Sequence, residues 1–153
     1  MKFCFCLILA ASVGVSSAAL ATLGEAESSV VQNLQAFHAA SDTISTMTQG
    51  QELKVHQMQV QANTIKQYAD SDGTIFAVTW KGPSMPPLSV LMGRYFPEYN
   101  LALAANIKVR GNRHLNITTP SLQVMQQGPL MHLHGVAYLL GKVPAGVEVE
   151  NLP

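Results

Sequence analysis

The side chains with the most accessible chemistry are His132 and His134, separated only by Leu133. If Leu130–Leu139 runs as a strand, residues two apart share a face, so both imidazoles project together. Imidazole suits zinc or copper, and His114 or His56 would supply a third nitrogen if the fold brought it near. The competing reading is two polar residues on the solvated face of an edge hairpin, with Met131 and Leu133 turned inward. The sequence favours that second reading, because it has no H-E-x-x-H run, no cysteine ligand nearby and no carboxylate within a few residues. No motif calls for a cofactor.

Other catalytic sets fare no better. There is no G-x-S-x-G elbow to expose a serine nucleophile, and Ser84 follows Gly82-Pro83 as a turn residue does. Asp70 and Asp72 are the closest carboxylate pair, but they stand in Asp70-Ser71-Asp72-Gly73, where Asp is favoured for bonds to its own backbone. Neither a Walker run nor G-x-G-x-x-G is present to cradle phosphate. Aromatic residues beside a stiff proline loop make a recognition surface. Trp80, Pro83, Pro86, Arg94 and Tyr95, with Phe96 and Tyr99, are the residues of that kind, unless the aromatics simply form the core.

The elements that position these residues follow an apparent address. Residues 1–21 carry Lys2, the uncharged apolar run Phe3–Val15, and then Ala19 and Ala21 in small-x-small spacing. The run is about 13 residues, short of the roughly 20 that span a bilayer. The sequence therefore predicts a leader cleaved after Ala21, with cleavage after Ala19 as the alternative, and a mature domain over 22–153. Both cysteines, Cys4 and Cys6, leave with the leader, so the exported domain must be stabilised without disulfides.

Composition bounds the rest. The chain has 153 residues, 48% of them hydrophobic and 12% charged, and a formal net charge of zero. This is a single folded domain rather than a disordered chain. It has no basic excess to neutralise nucleic-acid phosphates, and no stretch after the leader is long enough to span a membrane.

Val30, Val31, Leu34 and Phe37 have helical spacing, which predicts a helix over Glu25–Ala40. The polar run Ser41–Gln51 reads as a linker, so that 22–50 is helix and linker and 53–140 the core. Strand formers broken by turn residues predict a meander of Lys54–Gln61, Thr64–Asp70 and Thr74–Lys81, with Phe76, Val78 and Trp80 facing the core. The prolines of 83–87 end it. A helix over Leu88–Tyr95 breaks at Pro97 and continues as a short turn to Leu103. Residues 110–113 form a turn. Leu115–Thr118, Leu122–Gln127 and Leu130–Leu139 are strands, the last two joined by a tight hairpin, and 143–147 is a surface tail. The fold class is α+β: one antiparallel sheet, a three-stranded meander plus a C-terminal hairpin, packed on one or two helices.

Three stretches in order carry a resemblance: Gly73–Pro83 (GTIFAVTWKGP), Leu88–Pro97 (LSVLMGRYFP) and Gly135–Leu139 (GVAYL). Together they resemble a family of small exported proteins of Gram-negative bacteria classed as a domain of unknown function. The resemblance covers most of the mature chain and implies a bacterial envelope setting. It transfers no catalytic residue. The expectation is a periplasmic or secreted, non-enzymatic interaction or accessory module with a protein partner in the envelope. A metal binder using His132 and His134, and a small-ligand carrier with a cavity behind Trp80 and Tyr95, are the alternatives.

Overall fold

The computed structural model describes residues 22–30, 42–49, 51–106, 114–129 and 131–152. The leader, most of the expected first helix and the 110–113 turn lie outside these residues. The described chain builds one antiparallel sheet of seven strands: β1 (Asp42–Gln49), β2 (Gln51–Val60), β3 (Asn63–Ala69), β4 (Ile75–Gly82), β5 (Leu115–Thr118), β6 (Leu122–Gln127) and β7 (Leu133–Leu139). Their spatial order is β1-β2-β3-β4-β7-β6-β5. The meander and the C-terminal strands thus join through β4 and β7 into a single α+β sheet rather than standing apart.

The turns follow from their residues. In the β3–β4 turn, Asp70 Oδ1 accepts from the backbone N–H of Asp72 at 3.0 Å and of Thr74 at 2.8 Å, and Gly73 takes φ +74. Asp70 there serves the turn, as its position predicts. The β2–β3 hairpin closes through Gln61 and Ala62 between the paired Val60 and Asn63.

Residues 42–49 are not a linker. They pair with β2 from Asp42↔Met58 to Gln49↔Gln51. Polarity misleads here because β1 is an edge strand. Its Thr43, Ile44, Ser45 and Thr46 are all exposed and Met47 alone of the described side chains packs on the core, so the polar pattern prevails, while β-branched Thr and Ile favour the extended backbone.

The face assignment on β4 also changes. Tyr68 pairs with Ala77 and Ala69 with Ile75, so Phe76 is an extra residue on β4, a β-bulge. The bulge reverses the alternation. Ile75, Val78 and Trp80 face one core cluster, and Phe76 and Ala77 face another on the opposite side. Both sides of the sheet are therefore covered, where simple alternation predicts one.

The first side is covered by a helical stretch of three pieces: α1 (Leu88–Met92), a 3₁₀ turn (Gly93–Tyr95) and α2 (Phe96–Ala105). The break falls at Gly93, φ +49, rather than at Pro97. Pro97 sits in the first turn of α2, where its missing N–H costs nothing. A Cβ on Gly93 would lie 2.5 Å from Thr22 Oγ1, so this glycine also admits the N-terminal segment.

That segment is extended at Ala26, which bridges Thr74, and then forms a 3₁₀ turn over Glu27–Ser29, so the predicted helix does not begin at Glu25. Gly24 N–H donates to Ile75 O at 2.8 Å, and Ile75 N–H donates to Glu25 O at 3.0 Å. Leu23 and Val30 are buried in the helix-side core. The second side is covered by the C-terminal tail, whose Val147 is buried and whose Val143 and Leu152 pack beside it.

Candidate functional site

Register places side chains on the tail side of the sheet in lateral rows, since directly paired residues of antiparallel strands share a face. One row is Val55, Tyr68, Ala77, Tyr138, Gln123 and Thr118 across β2, β3, β4, β7, β6 and β5. Its Val55, Tyr68, Ala77 and Tyr138 form the tail-covered cluster with Leu53 and Phe76. The next row is Gln57, Lys66, Thr79, Val136, Met125 and Asn116. The third is Gln59, Thr64, Lys81, His134 and Gln127. The face is thus graded from apolar to polar along the strands. The tail covers the apolar part, and the two polar rows floor a groove of about 1100 Å³. Its rim includes His114 and the tail residues Val149–Leu152.

Within the apolar row, the Tyr138 hydroxyl donates to Gln123 Oε1 at 2.9 Å. Burial raises the Tyr138 pKa, and the nearby Glu150 charge adds to the rise. Glu150 is the one carboxylate among the described groove residues; Lys66, Lys81, His114 and His134 are their basic side chains.

His132 and His134 are not a strand pair. β7 begins at Leu133, and the tight hairpin expected at 127–129 is a longer connection. His132 lies in that turn, donating its N–H to Pro129 O at 3.1 Å after Met131 at φ +71. Both histidines are exposed. His134 packs over Gly128, where an added Cβ would lie 3.3 Å from its Nδ1. The groove brings together His134 and His114. His56 lies on the other side of the sheet, buried, with its Nε2 3.1 Å from Glu27 Oε1. Among the described residues, no three His, Cys, Asp or Glu side chains are grouped to hold a metal ion.

The expected aromatic–proline surface is distributed through the fold. Trp80 is 2% exposed and belongs to the helix-side core, and Pro86 is buried. The Trp80 ring lies over Gly135, its register partner, where a Cβ would meet Cζ2 at 2.3 Å. Gln126 is the partner of Gly135 on the other flank. The buried Trp80 Nε1 and Gln126 Oε1 have no hydrogen-bond partner among the described residues. Pro83 and Tyr95 are half-buried.

The proline loop is held by Asn63, whose Nδ2 donates to Ser84 Oγ at 3.1 Å; the same side chain leaves no room for a Cβ at Gly82. Arg94 is exposed but engaged: it donates to Glu25 Oε1 at 2.9 Å and Gly24 O at 3.3 Å, with its guanidinium 5.7 Å from the Tyr95 ring centroid. It fastens the N-terminal segment to the helical stretch.

Sequence reasoning missed Gln57, Lys66, Thr79, Lys81, Asn116 and Gln127 as groove residues. Their signal is the polar half of the alternation in Thr64-x-Lys66 and Thr79-x-Lys81, which marks a solvated sheet face. Position within one strand cannot show which residues of other strands lie beside it.

Fold and groove define an α+β domain with both sheet faces covered and a polar trough on one of them. The chain belongs to the family described as protein of unknown function (DUF2844), whose model matches residues 19–152. No curated protein and no solved structure matches it.

Proposed function

We propose that this protein is an exported, non-enzymatic interaction or accessory module of the bacterial envelope, with the groove as its contact surface. The groove carries this reading. Its floor is built on paired strands, which hold side chains at set spacings, and its polar groups converge on one open face. Lys66 and Lys81 make no ion pair among the described residues, which leaves both ammonium groups open to a partner. The leader-like residues 1–21 support export. Thr22 and Leu23, which follow the expected cleavage point, are buried, consistent with a domain that starts there. Among the described residues, no helix is long and apolar enough to cross a membrane.

The test is fractionation of cells expressing the full chain, with N-terminal sequencing, followed by crosslinking in intact cells. The reading expects a product starting at Thr22 outside the cytoplasm and a reproducible crosslinked partner. A cytosolic product that retains Met1, or an exported product that crosslinks to nothing, overturns it.

A further inference from the structure

The formal net charge of zero conceals an uneven distribution. On the N-terminal side, charges are matched: Glu25 with Arg94 at 2.9 Å, and Glu27 with Lys54 at 3.0 Å. The groove is different. Lys81 and His134 are direct register partners on β4 and β7, so their side chains stand side by side on its floor. Lys66 is diagonal to Lys81, because it pairs with Thr79 two residues away on the same strand. Unlike Lys54 and Arg94, Lys66 and Lys81 meet no carboxylate among the described residues, so their ammonium groups stay open to acidic groups from outside the fold.

The floor also carries the amides and hydroxyls of Gln57, Thr79 and Gln127 beside the apolar Val136 and Met125, and the one carboxylate, Glu150, stands on the tail at the rim. The amides and hydroxyls suit peptide groups and carboxylates alike. No exposed aromatic ring lies on the described floor to stack a base or a sugar: Trp80 is buried on the helix side, and Tyr138 is half-buried and bonded to Gln123. That argues against single-stranded nucleic acid, whose binding relies on such platforms. The volume, about 1100 Å³, exceeds that of an ordinary small-molecule pocket, roughly 300–1,000 Å³, and fits an extended chain better.

We infer that the groove is a docking site for an acidic, extended segment of a partner protein, whose carboxylates sit against Lys66, Lys81 and His134 and whose peptide groups meet the amide side chains. This rests on the interaction-module reading and specifies the partner's chemistry.

The probe is a fluorescein-labelled oligo-glutamate peptide, with oligo-lysine as control, titrated into the purified full-chain product at low and high salt. The inference expects saturable binding of oligo-glutamate only, weakened by salt through screening. Lys66→Glu with Lys81→Glu is expected to lower affinity at least about tenfold with an unchanged unfolding midpoint, because neither lysine makes an ion pair among the described residues. Lys142→Glu, at an exposed lysine outside the groove, is expected to change it less than about twofold. If the double reversal fails to fold, Lys66→Ala with Lys81→Ala supplies the same test, with a loss of about threefold.

Absent binding, or equal binding by wild type and groove variants, overturns the inference. So does alginate, a polyuronate, binding through the two lysines when the peptide does not, which would assign the groove to an anionic glycan. Crosslinking in cells separates the two levels. A partner captured equally by wild type and double reversal sinks the acidic-segment inference alone, whereas no partner for either sinks the module reading.

Discussion

On the helix side of the sheet, the apolar residues of the row Met58, Ile65, Trp80, Gly135, Gln126 and Leu115 share one core cluster with residues of α1, α2 and the 22–30 segment. On the tail side, rows from the same strands carry Lys66, Lys81 and His134, and the tail covers only the end that holds Val55, Tyr68 and Phe76. One backbone thus serves two purposes. The helix side has close packing and ion-paired cover. The tail side has a small apolar cluster and leaves polar groups facing water. The difference teaches that the strands of this protein have a structural face and a partly solvated face, and that the bulge at Phe76 lets one strand contribute apolar residues to both.

If that division is right, the largest stability losses lie on the helix side. Trp80→Ala removes its largest fully buried side chain and is expected to cost about 3–5 kcal/mol in urea unfolding. Gly135→Ala tests the same contact from the other side. An added Cβ would lie 2.3 Å from Trp80 Cζ2 and 2.8 Å from Met125 O, and the backbone oxygen cannot swing away. Overpacking of this kind is expected to cost about 1–3 kcal/mol. A Gly135→Ala protein as stable as wild type would show that the helix side is loosely packed and would remove the contrast between the faces.

The structural face was largely legible in the sequence. Leu115–Thr118 and Leu122–Gln127 occur at the predicted positions, and the meander strands shift by one to three residues at their ends. Each carries an apolar period with turn residues at its ends. β1 was hidden because an edge strand whose residues 43–46 are all exposed and whose Met47 alone of the described side chains packs on the core has no period to read. The bulge was hidden because the extra residue shows only in the pairing of Tyr68 and Ala69 with β4, a relation between strands. Of the groove, His134 and His114 were singled out, but Lys66 and Lys81 were not. Their meaning lies in what stands next to them across the sheet, and single-strand periodicity carries no such information. Arg94 was read as presenting to a partner; its binding to Glu25 and Gly24 joins segments 69 and 70 residues apart.

The tail side gives smaller effects. Val147→Ala removes methyl groups from a cluster that is shallow and bordered by water, and about 1–2 kcal/mol is expected, read as a lower thermal midpoint. The sharper readout is local. Amide exchange is expected to quicken in the tail and around Phe76 and Tyr68, while the strands around Trp80 stay protected. A uniform loss of protection would mean that the two clusters open together, so that the faces differ in composition but not in cooperativity.

The smallest effect tests how the helix-side cover is fastened. Burial raises the Glu27 pKa, but hydrogen bonds from Lys54 and His56, with their charges, outweigh it and leave the carboxyl below its usual value of 4.5. A carboxyl depressed in the folded state contributes stability that is fully present above the unfolded value and is lost as pH falls through the folded one. Glu27→Gln is therefore expected to cost about 0.5–1 kcal/mol at neutral pH, as partly exposed ion pairs do, and nothing once the wild-type carboxyl is protonated. Unfolding midpoints measured from neutral pH down past 4.5 should show the two proteins converging. The tail meets the sheet through Val143, Val147 and Leu152, so Val147→Ala should hold a constant offset over the same range. Parallel curves for Glu27→Gln and wild type would mean that the N-terminal segment is held by Leu23 and its backbone bonds to Ile75 and Gly73, with the ion pair contributing nothing.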